Sequence, residues 1–432
     1  MPSRRHALGL AAGGLAVILA TSTAPARALP SDATSPVTRW AERHAVAIPD
    51  DPTRPGRDLS AVARATAGAQ VIGLGEPGHM IGDVTTLQAR YVRHLVTSAG
   101  VRALALEMDW TLGLLVNAYV QGVRDDLDAV LDRQEVIWQT AEVRGMLRWL
   151  RHYNDTHDDQ VEVAGVEYFA TGLAAYEAIE SYVADHAPDR MPELQRYFRL
   201  LKPESDDIGA HLTAYMAITD KTPYLAAAVS LERLIRSIDG EGHEIAAHHA
   251  QQIHFWYEGF SLPLPDIPSY RDARAAENVR WVRRQSGART VYWAASAHVT
   301  AASDVTITEP GQPDNNFASA GSHLERWYGD DYVPIGFTFD HGTYRTGSGD
   351  LVRLPPACRG WFEEPLGDVT APRFVLDLRR GRPPAVRAWL DAPLRTRGLP
   401  EHGSASIAYG GSLGEWFDLI SHTQEVRPAR PL

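Results

Sequence analysis

The chain has 432 residues, 44% of them hydrophobic, which is enough to bury one large core or two ordinary ones and argues against a disordered or fibrous protein. Lysine and arginine total 42 against 54 acidic residues, and the net charge of −12 disfavours nucleic acid or an anionic membrane surface as the main partner. A lone cysteine, Cys358, excludes an intrachain disulfide and any multi-cysteine metal site, and reads as a structural thiol. A small-molecule substrate is the partner these numbers favour.

Residues 1–28 read as an address. Arg4 and Arg5 precede an apolar run over 7–20, and Ala26-Arg27-Ala28 offers small residues for cleavage, the pattern of a twin-arginine-type signal peptide that directs a folded protein out of the cytoplasm. The apolar run falls short of the ~20 residues a spanning helix needs. Residues 29–57 read as an exposed, proline-bearing N-terminal segment, and 58–432 as one α/β domain.

Within that domain a buried strand is expected at 69–74. A helix follows at 83–98, with Val84, Leu87, Tyr91 and Leu95 on one face and Gly100 as its stop. A second strand at 101–106, a long helical region at 127–153 and a third strand at 161–166 continue the alternation. A large helical insertion spans about 171–270. A helix at 271–284 and strands at 290–295 and 332–339 resume the rhythm, which predicts a mostly parallel central sheet flanked by helices. The insertion's histidines, His243, His248, His249 and His254, lack a ligand spacing and read as a solvated helix face.

Ligands of open α/β sheets bind at the carboxyl ends of the strands, where loops present side chains above a rigid base. Glu76 and His79 follow the first strand, Glu107 and Asp109 end the second, Glu167 ends the third, and Ser296 and His298 follow the fourth. Four strands thus deliver acids or histidines to one edge, a crowding that shifts pKa values and suits general acid/base work. Glu76, His79, Glu107 and His298 are the expected catalytic group. Asp109 and Glu167 fit structural roles slightly better, with Asp109 placed to cap the next helix, and together with Ser296 they are the expected lining of the substrate site.

Two motif matches compete with this reading. Gly73-Leu74-Gly75-Glu76-Pro77-Gly78 satisfies the dinucleotide-binding pattern, but Glu76 would meet the pyrophosphate and Pro77 lacks an amide donor. The acid ending the second strand also comes 29 residues after Gly78 rather than the usual ~20. Gly410-Gly411-Ser412-Leu413-Gly414 matches the nucleophile elbow, yet only 18 residues follow, with His422 their one histidine, so a glycine-rich loop is expected there. No cofactor is expected.

Several ordered motifs make the chain resemble the erythromycin esterase family, which includes proteins linked to succinoglycan biosynthesis. They are Gly73-Leu74-Gly75-Glu76-Pro77-Gly78-His79, Leu106-Glu107-Met108-Asp109, Trp149-Leu150-Arg151-His152-Tyr153-Asn154, Arg271-Asp272, Ala276-Glu277-Asn278-Val279, Gly321-Ser322-His323-Leu324 and Gly336-Phe337. The resemblance implies a metal-independent hydrolase in which His79 is a general base on water and Glu76 and Glu107 orient and polarise it. Two positions depart from the family pattern. Ala295 stands where the family has a histidine, and Gln88 where it has an arginine, with Arg90 nearby as a substitute; Gln88 and Arg90 are therefore further expected substrate-binding residues.

Three functions remain open on the sequence. The first is hydrolysis of an ester or lactone in a bulky natural product. The second is a biosynthetic tailoring reaction in which His79 activates a substrate hydroxyl for cyclisation, transfer or elimination. The third is ligand binding by a decayed site.

Overall fold

The alternation of strand and helix resolves into a mixed nine-stranded sheet in the computed structural model, which describes residues 35–49 and 56–432. The signal-peptide reading of 1–28 lies outside the described residues. In chain order the strands are β1 (Val46–Ala47), β2 (Val71–Glu76), β3 (Val101–Asp109), β4 (Glu162–Glu167), β5 (Arg289–Ala295), β6 (Val305–Ile307), β7 (Asn315–Phe317), β8 (Tyr332–Arg345), β9 (Leu351–Leu354), β10 (Arg373–Asp377), β11 (Pro393–Arg397), β12 (Ile407–Ser412) and β13 (Leu419–Val426).

The large sheet runs β1-β10-β13-β8-β2-β5-β3-β4, with β9 paired to β8. From β13 to β4 all neighbours are parallel, while β10, β1 and β9 are antiparallel additions. Parallel strands covered on both faces are expected to be continuously apolar, and Val71, Ile72, Leu74, Leu104, Leu106, Val291 and Trp293 are all buried. One face packs on the helices Gly82–Ala99, Trp110–Val120 and Ala141–Thr156. Ile267–Ser286 and Ala320–Tyr328 cover the other face around β2, β5 and β3. Close packing on β4 requires glycine: a Cβ on Gly165 would come 2.2 Å from the Asp109 carbonyl oxygen, and one on Gly113 2.3 Å from the Gly165 nitrogen.

The mostly parallel sheet, the flanking helices and the helical stretch after β4 agree with expectation. Three details differ. First, Glu76, expected to follow its strand, is the last residue of β2, while β3 and β4 run on past 106 and 166 to the acids expected to end them, Asp109 and Glu167. Second, the helical region expected over 127–153 is broken into Leu127–Asp132, a 3₁₀ turn at Val136–Trp138 and Ala141–Thr156, where the Thr140 hydroxyl accepts from the Val143 amide as N-cap. Third, part of 29–57 is packed rather than exposed. The helix Pro36–His44 buries Trp40 and Ala41 completely, because its apolar face docks on the cluster beneath β10 and β13.

Five helices follow β4: Leu173–His186, Met191–Leu201, Ile208–Met216, Thr222–Arg236 and His243–Gly259. They enclose a second apolar core with Tyr176, Phe198, Leu231 and Trp256. The solvated-face reading of their histidines is corrected here. His248 and His249 are buried, His248 stacked 3.9 Å from Trp281, while Trp110 Nε1 donates to His249 Nδ1 at 3.1 Å. Burial holds both rings below the usual histidine range, His249 at about 4. His254 is half-buried and pairs with Glu232 at 2.6 Å.

A small antiparallel sheet, β11-β12-β6-β7, closes one end of the domain. The elbow-like Gly410–Gly414 stretch was expected as a glycine-rich loop; instead the end of β12 runs directly into the helix Leu413–Trp416, the positive φ of Gly410 and Gly411 turning the chain, and Ser412 caps that helix in a reciprocal arrangement with Glu415. Among the described residues no helix is long and apolar enough to cross a membrane.

Candidate active site

The two glycines of β2 decide what can lie over it. A Cβ at Gly73 would meet Val299 Cγ1 at 2.5 Å, and one at Gly75 would meet Ser296 Cα at 3.0 Å and Val299 Cβ at 3.2 Å. Their bareness lets the short helix Ser296–Val299 settle on β2 and brings His298 over the strand ends. This close approach explains the glycines without any dinucleotide. Immediately past the strand, Met80 is the only described non-glycine residue with a positive φ, at 60°. Such a backbone costs on the order of 1–3 kcal/mol and is retained where its surroundings over-determine it. It adjoins His79.

The four expected catalytic residues converge. His79 Nδ1 and Glu76 Oε1 are 2.7 Å apart, the ring nitrogen donating to the carboxylate, and His79 Nε2 faces Glu107 Oε1 across 4.0 Å. His298 Nε2 lies 3.4 Å from the same Glu107 oxygen, and His298 Nδ1 is 2.9 Å from Asp272 Oδ1. The other Glu107 oxygen accepts the Ala295 amide at 2.7 Å. Arg271 joins the acids: it donates from Nη2 to Glu107 at 2.7 Å and forks onto Glu167 at 2.9 and 3.0 Å. Its Nη1 is 3.0 Å from His298 Nε2.

These contacts set the charges. Burial works against a charged His79, but Glu107 and Glu76 outweigh it and raise its pKa to about 9, so the resting ring is an imidazolium at neutral pH. Burial likewise opposes ionisation of Glu107, yet His298, His79 and Arg271 hold it down at about 2. For His298, burial and Arg271 oppose protonation while Asp272 and Glu107 favour it, and the carboxylates prevail, raising its pKa. Burial raises Glu167 despite its arginine partner.

Other expected residues fall elsewhere. Gln88 is completely buried on the helix Gly82–Ala99, with its amide donating to the Leu74 carbonyl at 3.3 Å, and Arg90 pairs with Asp58 at 2.7 Å. Neither reaches the cluster. Asp109 spends its oxygens on the amides of Thr111 and Ala170 and on the Thr111 hydroxyl, which makes it a cap; burial raises it to about 6. Ser296 starts the short helix and has no hydrogen bond to the cluster among the described contacts. Glu167 does belong to the cluster, held by Arg271.

Arg271 and Asp272 were noticed in the sequence only as a motif pair, and their place in the site was missed. Periodicity gives their helix, but it does not reveal which strand ends that helix crosses. Glu135, exposed at the start of the 3₁₀ turn, is also close enough for its charge to act on His79. Among the described residues no group of three or more His, Cys, Asp or Glu side chains is arranged to hold a metal ion.

The family profile described as erythromycin esterase matches residues 96–426. The chain belongs to the erythromycin esterase family. The matched span takes in Glu107, Arg271, Asp272 and His298 and begins after Glu76 and His79. Three solved structures share the fold. A Bacillus cereus protein is 22% identical, with a TM-score of 0.80 over 92% of this chain and 98% of that one. A succinoglycan biosynthesis protein is 24% identical, with a TM-score of 0.80 over 93% and 100%. The erythromycin esterase EreC, solved as a mutant in its open conformation, is 15% identical, with a TM-score of 0.68 over 88% and 96%. Membership of the erythromycin esterase family, with its fold, supports an esterase-like hydrolase.

Proposed function

We propose that this protein is an exported, metal-independent hydrolase that opens an ester or lactone in a bulky, largely apolar natural product, with His79 as the base that activates water. The observation that carries this reading is the His79–Glu76 pair. A carboxylate 2.7 Å from Nδ1 orients the ring and, once the imidazolium has lost a proton, keeps the remaining one on Nδ1 so that Nε2 is the base. The 4.0 Å between Nε2 and Glu107 is too long for a direct hydrogen bond and suits one water bonded to both.

In this mechanism neutral His79 removes a proton from that water as its oxygen attacks the carbonyl carbon. The carbonyl π bond becomes a tetrahedral alkoxide. Collapse breaks the bond to the leaving oxygen, which takes the proton back from His79. Arg271 and His298, beside Glu107, are the cationic or donor groups nearest the developing charge. Arg271 also lies where a cation bridging Glu107 and Glu167 would sit, which supports chemistry without a metal. The substrate would enter beside Phe169, whose ring lies 5.1 Å from the Arg271 guanidinium, between the sheet edge and the helical insertion.

A second reading keeps the base and replaces water by a substrate hydroxyl. Ala295 and the inward-turned Gln88 favour it, since both positions lack the family's donors at the carbonyl. The intact His79–Glu76 pair weighs against a merely binding protein. Incubation of the purified protein with a panel of esters and lactones, beside His79→Ala, tests the proposal. A gain of one water by the wild type alone supports hydrolysis, and an isomerised or transferred product would favour the second reading.

A further inference from the structure

Glu107 Oε1 is approached by two histidines of the same build, each with a carboxylate on Nδ1 and with Nε2 turned to the shared acid. The first is His79 with Glu76. In the second, both Asp272 oxygens lie against His298 Nδ1, at 2.9 and 3.0 Å, and Nε2 is 3.4 Å from Glu107. Asp272 is itself pinned. It is 1% exposed near the start of the helix Ile267–Ser286, and its Oδ1 also accepts the Ala320 amide at 2.7 Å, where the helix Ala320–Tyr328 begins. A carboxylate tied to the backbone of a second helix cannot swing away with the ring. Phe317 flanks the imidazole on another side, with ring centroids 5.6 Å apart.

Donor and acceptor chemistry then assigns the hydrogens. A carboxylate accepts and does not donate, so Nδ1 carries a hydrogen whether the ring is neutral or charged. A guanidinium donates and never accepts, so the 3.0 Å contact from Arg271 Nη1 uses the lone pair that the neutral ring keeps on Nε2. Once Nε2 is protonated, its N–H finds Glu107. Each state of Nε2 thus has a partner in place, while Nδ1 is the same in both. The charged groups around the ring are Glu107 on β3, Glu167 on β4, and Arg271 and Asp272 on the crossing helix. Burial and Arg271 oppose a charge on the ring, Asp272 and Glu107 favour it, and the acids prevail.

We propose that Asp272 is a positioning residue that keeps the Nδ1–H of His298 engaged in both charge states, so that the ring gains and loses its proton only at Nε2. The proposal rests on the hydrolase reading for what Nε2 then does, which is to donate to the carbonyl oxygen as it becomes an alkoxide. A neutral ring would turn a lone pair toward that oxygen. By favouring the charged ring and fixing which nitrogen titrates, Asp272 supplies the donor without touching substrate.

The test is a pH titration by NMR of protein labelled with nitrogen-15 in its histidines, with the His298 ring signals assigned from His298→Gln. In the wild type, Nδ1 should keep the shift of a protonated nitrogen from acid to alkaline pH while Nε2 alone moves. In Asp272→Asn, whose side chain offers a donor as well as an acceptor, the His298 midpoint should fall by about one pH unit or more. Its neutral ring should also populate the form with hydrogen on Nε2. A neutral wild-type ring with its hydrogen on Nε2 would overturn the proposal, as would an unchanged midpoint and tautomer in Asp272→Asn. The wild-type readout stands even if replacing Asp272 unfolds the protein, and neither readout requires turnover. Failure of the hydrolase reading would appear instead as unimpaired conversion by His79→Ala.

Discussion

Arg271 Nη2 lies 2.7 Å from Glu107 Oε1, and the same guanidinium forks onto Glu167, so one cation neutralises two acids that end adjacent strands. Without it, β3 and β4 would present two buried carboxylates side by side. Arg271→Ala should therefore destabilise the fold by about 3 kcal/mol, the usual cost of stranding a buried charge. Arg271→Lys should recover only part, since an ammonium cannot fork onto both oxygens of Glu167. Denaturant unfolding of the three proteins decides this. Unchanged stability in Arg271→Ala would mean that the acids are solvated in the folded state.

His79→Ala should abolish turnover while the protein remains folded, because the residue is partly exposed beyond β2 and contributes little to the core. As a base, His79 must first lose a proton held to about 9, so kcat/KM for the wild type should climb with pH and level off near that value. Glu76→Gln removes one carboxylate favouring the imidazolium. The inflection should move to lower pH, even as the plateau falls through loss of ring orientation. A profile that declines through the same range would reassign His79 as an acid.

The same groups tie stability to pH in opposite directions. His79 has a folded pKa of about 9 against an ordinary 6.5, so its contribution is fully present below the lower value and disappears as pH rises through the higher. Glu107, near 2 against an ordinary 4.5, contributes above the higher value and loses that contribution as pH falls through the lower. Thermal melts across pH should show His79→Ala removing the alkaline loss and weakening the acid loss, since His79 helps hold Glu107 down, and Glu107→Gln removing the acid loss and weakening the alkaline one. An alkaline limb unchanged in His79→Ala would contradict the imidazolium.

Erythromycin-type macrolides should be opened poorly or not at all. Ala295 supplies only a backbone N–H, spent on Glu107, and Gln88 is turned toward Leu74, so the family's two side-chain donors have no counterpart at the carbonyl. Losing one such donor typically costs on the order of 10²–10³ in rate. Incubation with macrolides, read by mass for a gain of water, checks this. Efficient opening would show that Arg271 and His298 suffice as donors.

We predict that the protein is exported with cleavage near residue 28, as expected from Arg4-Arg5 and the Ala26-Arg27-Ala28 site. Mass spectrometry of culture medium and membrane fractions tests this, and an intact N-terminus retained with the membrane would count against it.

Much of the site was legible because strand ends are legible. Apolar runs ending in Glu76, Glu107 and Glu167 locate three carboxylates at one edge once the sheet is known to be parallel. Arg271 and Asp272 were less accessible, since a helix far along the chain must cross those edges before either residue has a role. Gln88 and Arg90 misled because the resemblance sets a family arginine at position 88, while in this chain the helical turn directs Gln88 to the Leu74 carbonyl and Arg90 to Asp58. The break that places Trp138 beside Trp293 left no clear trace in an apolar pattern that continues on both sides of it.

The position of β13 bears on how the chain is made. This strand, Leu419–Val426, lies between β8 and β10 rather than at an edge, and beyond it Pro428 and Pro431 bridge to Ile81 and Thr140. During synthesis, β8 and β10 each keep an open hydrogen-bonding edge until β13, which follows both in the chain, has left the ribosome. Such edges invite pairing with other chains, so the nascent protein is exposed to mispairing until β13 arrives. Completion of the sheet would then be a late, all-or-nothing event.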